Sequence, residues 1–274
     1  MPELPEVETF RRRFLQGADS SPPLVGQQIQ GATLLWPGSL AMPSHESFKS
    51  RIAGQTIEDI RRRGKFLLFH LSRDVLAVHL RMSGDLWVEE ESKPIQKHHR
   101  LLFHLEKGMR LVFNDPRKFG RCWLVQDPTP LLAHLGPDPL DESFIPQRFY
   151  ANLLVRRRQL KPLLLDQRFL AGLGNIYTDE ALHIARLHPR TVANTLTRRQ
   201  AGTLFGAIRE VLSEGIQRNG ASIDWVYRGG DFQNYFKVYQ RAHQPCYTCQ
   251  TSIQRIVVGQ RGTYICPRCQ PPPA

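Results

Sequence analysis

The sequence has no long apolar run. In 274 residues, no uninterrupted apolar stretch approaches the ~18 residues that a membrane-spanning helix requires. The first nine residues contain three acidic side chains and no apolar segment, so we expect neither a secretory signal nor a transit peptide. These absences predict a cytoplasmic protein, in a bacterial or equivalent cell, that has no membrane partner.

Cysteine and acidic residues are also few. Five cysteines in the whole chain exclude a small scaffold that depends on disulfides, and a hydrophobic fraction of 41% excludes general disorder. Only 25 Asp and Glu stand against 37 Lys and Arg, which leaves a net charge of +12, and no acidic residue follows position 235. A strongly basic chain without an amphipathic anchor helix is typical of a protein that binds a polyanion, and nucleic acid is the best candidate.

The spacing of apolar residues changes along the chain. Val7, Phe10 and Phe14 form a helical stripe near the start. Short strand-like runs, separated by turns rich in Gly, Asn, Asp and Pro, fill residues 26–125 and predict an antiparallel sandwich.

The pattern from residue 146 to residue 220 is helical. The clearest helix begins after Thr197, which forms a capping-box pattern with Gln200, and Asn175 is the expected N-cap of an earlier helix. We therefore predict an α+β multidomain chain. The expected domains are an N-terminal helix with an antiparallel β-sandwich (1–142), a helical domain (143–235) and a cysteine-rich segment (236–274).

Four of the five cysteines form two CxxC pairs with 16 residues between them. They are Cys246, Cys249, Cys266 and Cys269. This spacing is typical of a tetrahedral zinc site, in which two tight turns each supply two thiolates. Two disulfides or a redox dithiol are the alternatives, but a cytosolic chain rarely keeps disulfides and a redox motif needs one pair. We predict one structural Zn²⁺ that stabilises a hairpin carrying Arg261 near its turn and does no chemistry.

The chain start offers a possible nucleophile. Removal of Met1 would expose the secondary amine of Pro2, and an N-terminal amine with a pKa of about 7.7–8.0 is partly neutral near pH 7. Such an amine can attack an electrophilic carbon and form a Schiff base, with Glu3 beside it as a proton donor. Most chain ends are merely frayed, so this hypothesis depends on the other motifs.

Basic and aromatic residues occupy several predicted turns. Lys65 ends a run of four cations, and Met82, Arg117 and Phe119 lie at later turns. A long apolar side chain on a turn can enter a base stack, and an Arg can fill the vacated space. Taken singly, these residues are equally compatible with solvated charges and ordinary core positions.

Several unrelated motifs occur in one order along nearly the whole chain. They are PELPEVET at 2–9, RGK at 63–65, HLRMSG at 79–84, NDPRKFG at 114–120, LGP at 135–137, KPLLLDQ at 161–167, GNIY at 174–177 and CPRC at 266–269. Together they resemble the formamidopyrimidine-DNA glycosylases, the Fpg branch of the Fpg/Nei family. The resemblance implies a helix-two-turn-helix arrangement in the helical domain and a C-terminal zinc-finger hairpin.

The resemblance also implies an activity, that of a bifunctional DNA glycosylase/AP lyase of base excision repair. Pro2 would attack C1′ of an oxidised purine nucleoside, such as 8-oxoguanine or a formamidopyrimidine, while Glu3 protonates the sugar ring oxygen. Lys65 would take part in the acid/base steps. The strand would then be cut by β,δ-elimination, with Arg261 contributing to the second step.

The implied partner is double-stranded DNA that contains oxidised bases or abasic sites, bound by a monomer associated with the nucleoid. Met82, Arg117 and Phe119 would fill the gap left by the everted nucleotide. Asn175 and Arg261 would hold phosphates. The remaining implied lesion or DNA contacts are Glu6, His79, His98 and Arg156.

Two segments depart from the family pattern. Lys97-His98-His99-Arg100 replaces the usual His-Asp-His after Lys, and residues 220–232 differ from the usual lesion-covering loop. These departures concern the base preference more than the reaction type. Two alternatives to the implied activity stay open: a Nei-type glycosylase that acts on oxidised pyrimidines, and a non-catalytic protein that binds damaged DNA.

Overall fold

The computed structural model describes residues 1–17, 21–222 and 229–273. Contacts divide the chain into two units, one of residues 1–133 with 221–230 and the other of residues 134–220 with 231–274. Within these described ranges, no helix combines the length and apolarity needed to cross a membrane. The three-domain division expected from the sequence stays a prediction.

Helix α1 (Leu4–Gln16) opens the first unit. Glu3 is its N-cap and forms a capping box with Glu6, in which each side chain accepts a hydrogen bond from the other residue's backbone N–H. Pro5 lies in the first turn, where backbone N–H groups have no partner within the helix, so the N–H that proline lacks costs the helix no hydrogen bond. The predicted apolar stripe of this helix is buried, which confirms the expectation.

In the described part of the first unit, α1 is followed by nine strands and two short α-helices. The strands are β1 (Gln28–Leu34), β2 (Leu40–Met42), β3 (Gln55–Arg63), β4 (Phe66–Leu71), β5 (Val75–His79), β6 (Asp85–Glu90), β7 (His99–Leu105), β8 (Met109–Asn114) and β9 (Arg121–Val125). The helices are α2 (His45–Ile52) and α3 (Thr129–Leu132). The strand order is β2-β9-β5-β4-β3-β1-β7-β8-β6. Every neighbouring pair is antiparallel except β2 with β9, which is parallel.

Two halves of this strand order share one apolar core. Phe69 and Val78 from one half and Phe103 and Phe113 from the other belong to the same buried cluster, together with the stripe of α1. The two halves are joined by β1 and β3, which share two paired positions. The predicted sandwich is confirmed, and its core lies between the halves.

The second unit begins with four helices. They are α4 (Pro146–Leu154), α5 (Leu160–Leu164), α6 (Asn175–Ile184) and α7 (Arg198–Gln217). The capping box predicted at Thr197 is present. The expectation that Asn175 caps α6 is wrong by one residue, because Gly174 is the N-cap and Asn175 the first helical residue. Gly215 lets α7 approach α6 closely, since a Cβ there would lie 2.5 Å from the ring of Tyr177.

The second unit ends in the predicted hairpin, β10 (Gln254–Val258) paired antiparallel with β11 (Arg261–Ile265). Val258 pairs with Arg261, which leaves a two-residue turn. Both turn residues, Gly259 and Gln260, have positive φ angles, of 54° and 62°. This combination is typical of the turn that matches the twist of a two-stranded ribbon.

Candidate active site and metal centre

The start of α1 brings Pro2, Glu3 and Glu6 together, and all three residues are buried. The carboxylate of Glu6 accepts a hydrogen bond from the backbone N–H of Glu3 at 2.7 Å and another from that of Ala221 at 2.8 Å. Because the two bonds use different oxygens of Glu6, this one carboxylate fixes Glu3 beside Pro2 and holds the chain at Ala221 against the helix start.

Lys65 lies in a tight turn between β3 and β4. Arg63 pairs with Phe66 across the turn, and Gly64 takes a φ of 55° that favours glycine. Lys65 is only 5% exposed. A lysine is rarely so buried unless its ammonium group has a specific task or partner.

Glu8 ties α1 to this turn. Its carboxylate accepts from Nε of Arg62 at 3.2 Å, and Nη1 of Arg62 donates to the carbonyl of Gly64 at 3.1 Å. Burial raises the pKa of Glu8, but the hydrogen bonds and charges of Arg11 and Arg62 outweigh burial and hold that pKa below its ordinary value. The turn with Lys65 therefore lies beside the helix that begins at the candidate nucleophile.

The register of the sheet brings three predicted site segments to the same ends of the neighbouring strands β4, β5 and β9. Phe66 pairs with His79, and His79 pairs with Arg121. The turn that contains Lys65 immediately precedes Phe66. The turn that contains Met82 follows His79, and the loop that contains Phe119 precedes Arg121. His79 also supports its own turn, because its Nδ1 accepts from the backbone N–H of Arg81 at 3.0 Å.

Asp115 joins the Met82 turn to the Phe119 loop. One carboxylate oxygen accepts from the hydroxyl of Ser83 and from the backbone N–H of Arg117. The other accepts from the backbone N–H of Gly120 at 2.7 Å. Asp115 is 1% exposed, so one buried carboxylate fixes both loops. Gly120 must be glycine, since a Cβ would lie 2.4 Å from the ring of Phe113.

The side chains on these two loops point outward. Met82 is 42% exposed and Phe119 46% exposed, which is unusual for large apolar side chains on rigid turns. The guanidinium of Arg117 lies 5.0 Å from the centre of the Phe119 ring, within the range of a cation–π contact. His98 is half-buried, and its Nδ1 lies 3.3 Å from Nη2 of Arg100.

The second unit brings the four cysteines of the CxxC pairs together. Their sulfur atoms all lie within 4.8 Å of one another, and three of the separations are 3.4, 3.5 and 4.0 Å. A tetrahedral ion with Zn–S bonds of about 2.3 Å places its sulfurs about 3.8 Å apart. The set therefore fits one structural Zn²⁺, as predicted, and four thiolates leave no coordination position for chemistry.

Cys122 differs from these four cysteines. It is fully buried in the apolar core of the sandwich, and burial raises the pKa of its thiol. A thiol in this environment is chemically inert.

Helix α6 holds the tip of the hairpin. Nδ2 of Asn175 and Nζ of Lys161 each donate to the carbonyl of Gly262 at 3.0 Å. Lys161 also forms a fully buried ion pair with Asp179 at 2.7 Å, and Asp179 accepts from the backbone N–H of Tyr264 at 3.0 Å. Burial raises the pKa of Asp179 to about 7, although Lys161 and this N–H favour the charged form.

A second carboxylate of α6 holds the segment that leads into the cysteine-rich region. Glu180 accepts from three consecutive backbone N–H groups, those of Lys237, Val238 and Tyr239, at 2.8–2.9 Å. The predicted phosphate contacts of this unit, Arg261 and Asn175, are therefore brought together through Gly262. Arg156 lies elsewhere in the unit, exposed in the segment after α4.

Several supporting residues escaped the sequence interpretation. The motifs at 114–120 and 161–167 contain Asp115 and Lys161, but their partners are 32 and 18 positions away, at Ser83 and Asp179. No periodic pattern reports such distant pairs. Residues 223–228 of the divergent loop lie outside the described residues.

Three family models match the chain in succession. They are the formamidopyrimidine-DNA glycosylase N-terminal domain over residues 1–122, the formamidopyrimidine-DNA glycosylase H2TH domain over 135–226, and the zinc finger found in FPG and IleRS over 244–272. A formamidopyrimidine-DNA glycosylase of Chloroflexus aurantiacus is 47% identical over 278 residues, and the match covers 98% of each chain.

Solved structures agree over the full length. A complex of a Lactococcus lactis FPG mutant with Fapy-dG containing DNA superposes with a TM-score of 0.91 at 36% identity and covers 99% of this chain and 100% of that one. A structure of MutM with carbocyclic 8-oxo-G containing DNA gives the same identity, coverage and TM-score.

The metal centre yields the first prediction. Metal analysis of the purified protein is expected to find one zinc per chain. Cys249→Ser removes one of four thiolates, so it should lower the zinc content and disorder the hairpin while the sandwich unit stays folded. Cys122→Ala is the control and should keep the full zinc content. Active protein that contains no metal and tolerates strong chelation would contradict the zinc site.

The Asp115 contacts yield the second prediction. Asp115→Asn replaces one acceptor oxygen by an NH₂ group that faces N–H donors, which should lower the free energy of unfolding by about 1–3 kcal/mol. Urea denaturation measures this change. Asp127→Asn, at an exposed carboxylate of the same unit, should leave stability unchanged. Equal stability of the two variants would mean that Asp115 does not hold the loops.

Proposed function

Because the chain belongs to the formamidopyrimidine-DNA glycosylase family, we propose that it is a bifunctional DNA glycosylase/AP lyase of base excision repair. Its substrates are oxidised purines, 8-oxoguanine and formamidopyrimidines, in double-stranded DNA, and also abasic sites. The observation that carries the proposal is the buried start of α1, where Pro2 and Glu3 adjoin at a helix N-terminus. The DNA lesions bound by the solved relatives support the substrate class.

In the proposed reaction, removal of Met1 frees the secondary amine of Pro2. The amine attacks C1′ of the damaged nucleoside, Glu3 protonates the ring oxygen as the sugar opens, and the base leaves with the glycosidic electron pair and takes up a proton. The resulting iminium at C1′ acidifies C2′. Loss of the C2′ proton expels the 3′ phosphate by β-elimination, and δ-elimination then releases the 5′ phosphate.

The surroundings of Pro2 support this assignment. Pro2 is buried directly before the first turn of α1, beside Glu3 and close to Glu6. Glu3 directly follows Pro2, and the Glu6 carboxylate next to it holds the backbone N–H groups of Glu3 and Ala221, so we assign Glu3 as the proton donor. Lys65, buried in the turn beside α1, takes part in the acid/base steps and contacts a phosphate near the lesion.

The wedge residues open the duplex in this proposal. A sugar carbon cannot be reached inside a stacked duplex, so the nucleotide must be everted. Met82, Arg117 and Phe119 fill the space that it leaves, and their exposure on loops fixed by Asp115 supports this role. Glu6 and His79 contact the lesion or the DNA beside it.

The phosphate contacts provide affinity. Arg261, Asn175, Arg156 and His98 bind phosphates, and Arg261 also serves the second elimination. A ligated zinc-tetrathiolate carries about two negative charges, which trims the net charge of +12 to about +10. Binding should therefore weaken steeply with added salt. The zinc is structural and holds the hairpin with Arg261.

The protein acts as a monomer in the cytoplasm, associated with the nucleoid, and its domains are 1–142, 143–235 and 236–274.

Covalent chemistry at Pro2 is the third prediction. Borohydride should trap the iminium as a stable protein–DNA adduct, and peptide mapping should place that adduct on Pro2. The same chain with additional residues before Pro2 should give no adduct. Glu3→Gln should lose excision of the damaged base but keep cleavage of a preformed abasic site, where no glycosidic bond remains.

Three results would overturn this proposal in different ways. An adduct on Lys65 with unmodified Pro2 would reassign the nucleophile. Faster trapping on oxidised pyrimidines than on oxidised purines would indicate a Nei-type enzyme. Tight binding to damaged DNA without any trapped adduct would indicate a non-catalytic protein.

The wedge role gives the fourth prediction. Phe119→Ala should slow single-turnover excision of a paired lesion, because unstacking costs a few kcal/mol and the wedge offsets that cost only after eversion. The same lesion in a bulge should be affected less, and affinity for undamaged duplex should hardly change. Val25→Ala, at another exposed apolar residue of the first unit, should behave as the parent. Equal slowing on both substrates would make Phe119 a packing residue.

A further inference from the structure

His183 contacts the metal centre although no CxxC motif contains it. It lies in the last turn of α6, and its Nε2 is 3.6 Å from Sγ of Cys246. Both residues are buried: Cys246 is 0% exposed and His183 6% exposed. Among the residues that the structure describes, the only polar contact of a sulfur of this centre from outside the cysteine-rich segment is therefore the ring nitrogen of His183.

The hydrogen-bonding capacity of the ring fixes the direction of this contact. A neutral imidazole has one N–H and one acceptor nitrogen. Nδ1 of His183 is buried and has no hydrogen-bond partner among the described residues, so a proton there would be an unpaired buried donor. The same proton on Nε2 finds the sulfur. A zinc-bound Cys246 is a thiolate and can only accept a hydrogen bond.

We propose that His183 is a positioning residue of the zinc centre, whose Nε2–H donates to the thiolate of Cys246. It is not a zinc ligand, because the cluster of potential ligand atoms in the described chain consists of the four cysteines alone. The donor offsets part of the negative charge of a zinc-tetrathiolate and links α6 directly to the metal. Partners of metal ligands commonly act in this way on ligand basicity and metal retention.

Cys246 is the thiolate with the greatest need for such a donor. Cys266 is also buried, but its sulfur already accepts from the backbone N–H of Cys269 at 3.4 Å. Cys249 and Cys269 are half-buried and reach solvent. Cys246 has neither solvent nor a backbone donor in the contacts of the described residues, and His183 supplies the N–H.

The test compares two substitutions in the full-length, metal-loaded protein. His183→Phe keeps the ring and removes the donor, whereas His183→Gln keeps an N–H near the position of Nε2. His188→Phe is the matched control, because His188 is equally buried in the same unit and its Nδ1 accepts from the backbone N–H of Arg190. The readouts are zinc affinity by competition with a chromogenic chelator and the absorption spectrum of the cobalt-substituted protein.

His183→Phe should bind zinc roughly 10-fold more weakly than the parent. Its cobalt form should show the thiolate-to-metal charge-transfer band at lower energy, because a sulfur without a hydrogen bond gives up its electrons more easily. His183→Gln should restore both values, and His188→Phe should leave both unchanged. This outcome does not depend on the proposed glycosylase activity, since neither readout involves DNA.

Two results would overturn the inference. An unchanged cobalt band in His183→Phe, with or without weaker zinc binding, would mean that His183 acts only through packing. A parent cobalt spectrum with the signature of three sulfurs and one nitrogen would mean that His183 is itself a ligand. Borohydride trapping at Pro2 would remain intact in either case, so failure here is distinguishable from failure of the proposed function.

Discussion

Buried carboxylates that accept backbone N–H groups hold the functional segments of this chain in place. Glu6 holds Glu3 and Ala221, Asp115 holds the loop of Arg117 and Gly120, and Asp179 with Glu180 hold the cysteine-rich region. Hydrogen bonds to a charged group contribute roughly 1.5–3 kcal/mol each, more than neutral ones. A carboxylate is also the one side chain that accepts several N–H groups without donating, so it can fix a loop that has no regular secondary structure.

This use of acids suits a strongly basic chain. A surface that binds a polyanion must present cations and cannot neutralise them with exposed carboxylates. Buried acids avoid this conflict, because they fix the loops from beneath and stay away from the ligand. Asp115 is an example, since it is buried two residues before the exposed Arg117 and holds the backbone of that residue from within. It also lets Met82 and Phe119 remain exposed and yet rigidly placed.

Sequence patterns predicted the features that depend on residues close together in the chain. The stripe of α1, the capping box at Thr197, the strands of the sandwich and the hairpin between the CxxC pairs were all visible in the sequence, and the spacing of the cysteines predicted the zinc site. The distant partners were not visible, because only the fold brings them together: Ser83 reaches Asp115, Ala221 reaches Glu6 and Cys246 reaches His183. The error at Asn175 has the same origin: its side chain serves the distant Gly262 rather than its own helix end.

The hairpin of β10 and β11 is held in place both by the metal centre and by side chains of the helical region. Two five-residue strands are marginal in isolation, and the buried cluster beside them consists of Val238, Ile253 and two cysteines. Zinc closes the base of the hairpin, but it does not reach the turn. Lys161 and Asn175 hold the carbonyl of Gly262 in β11, and Asp179 accepts from the backbone N–H of Tyr264 in the same strand. The backbone position of Arg261, which pairs with Val258 at the end of β10, therefore depends on both attachments.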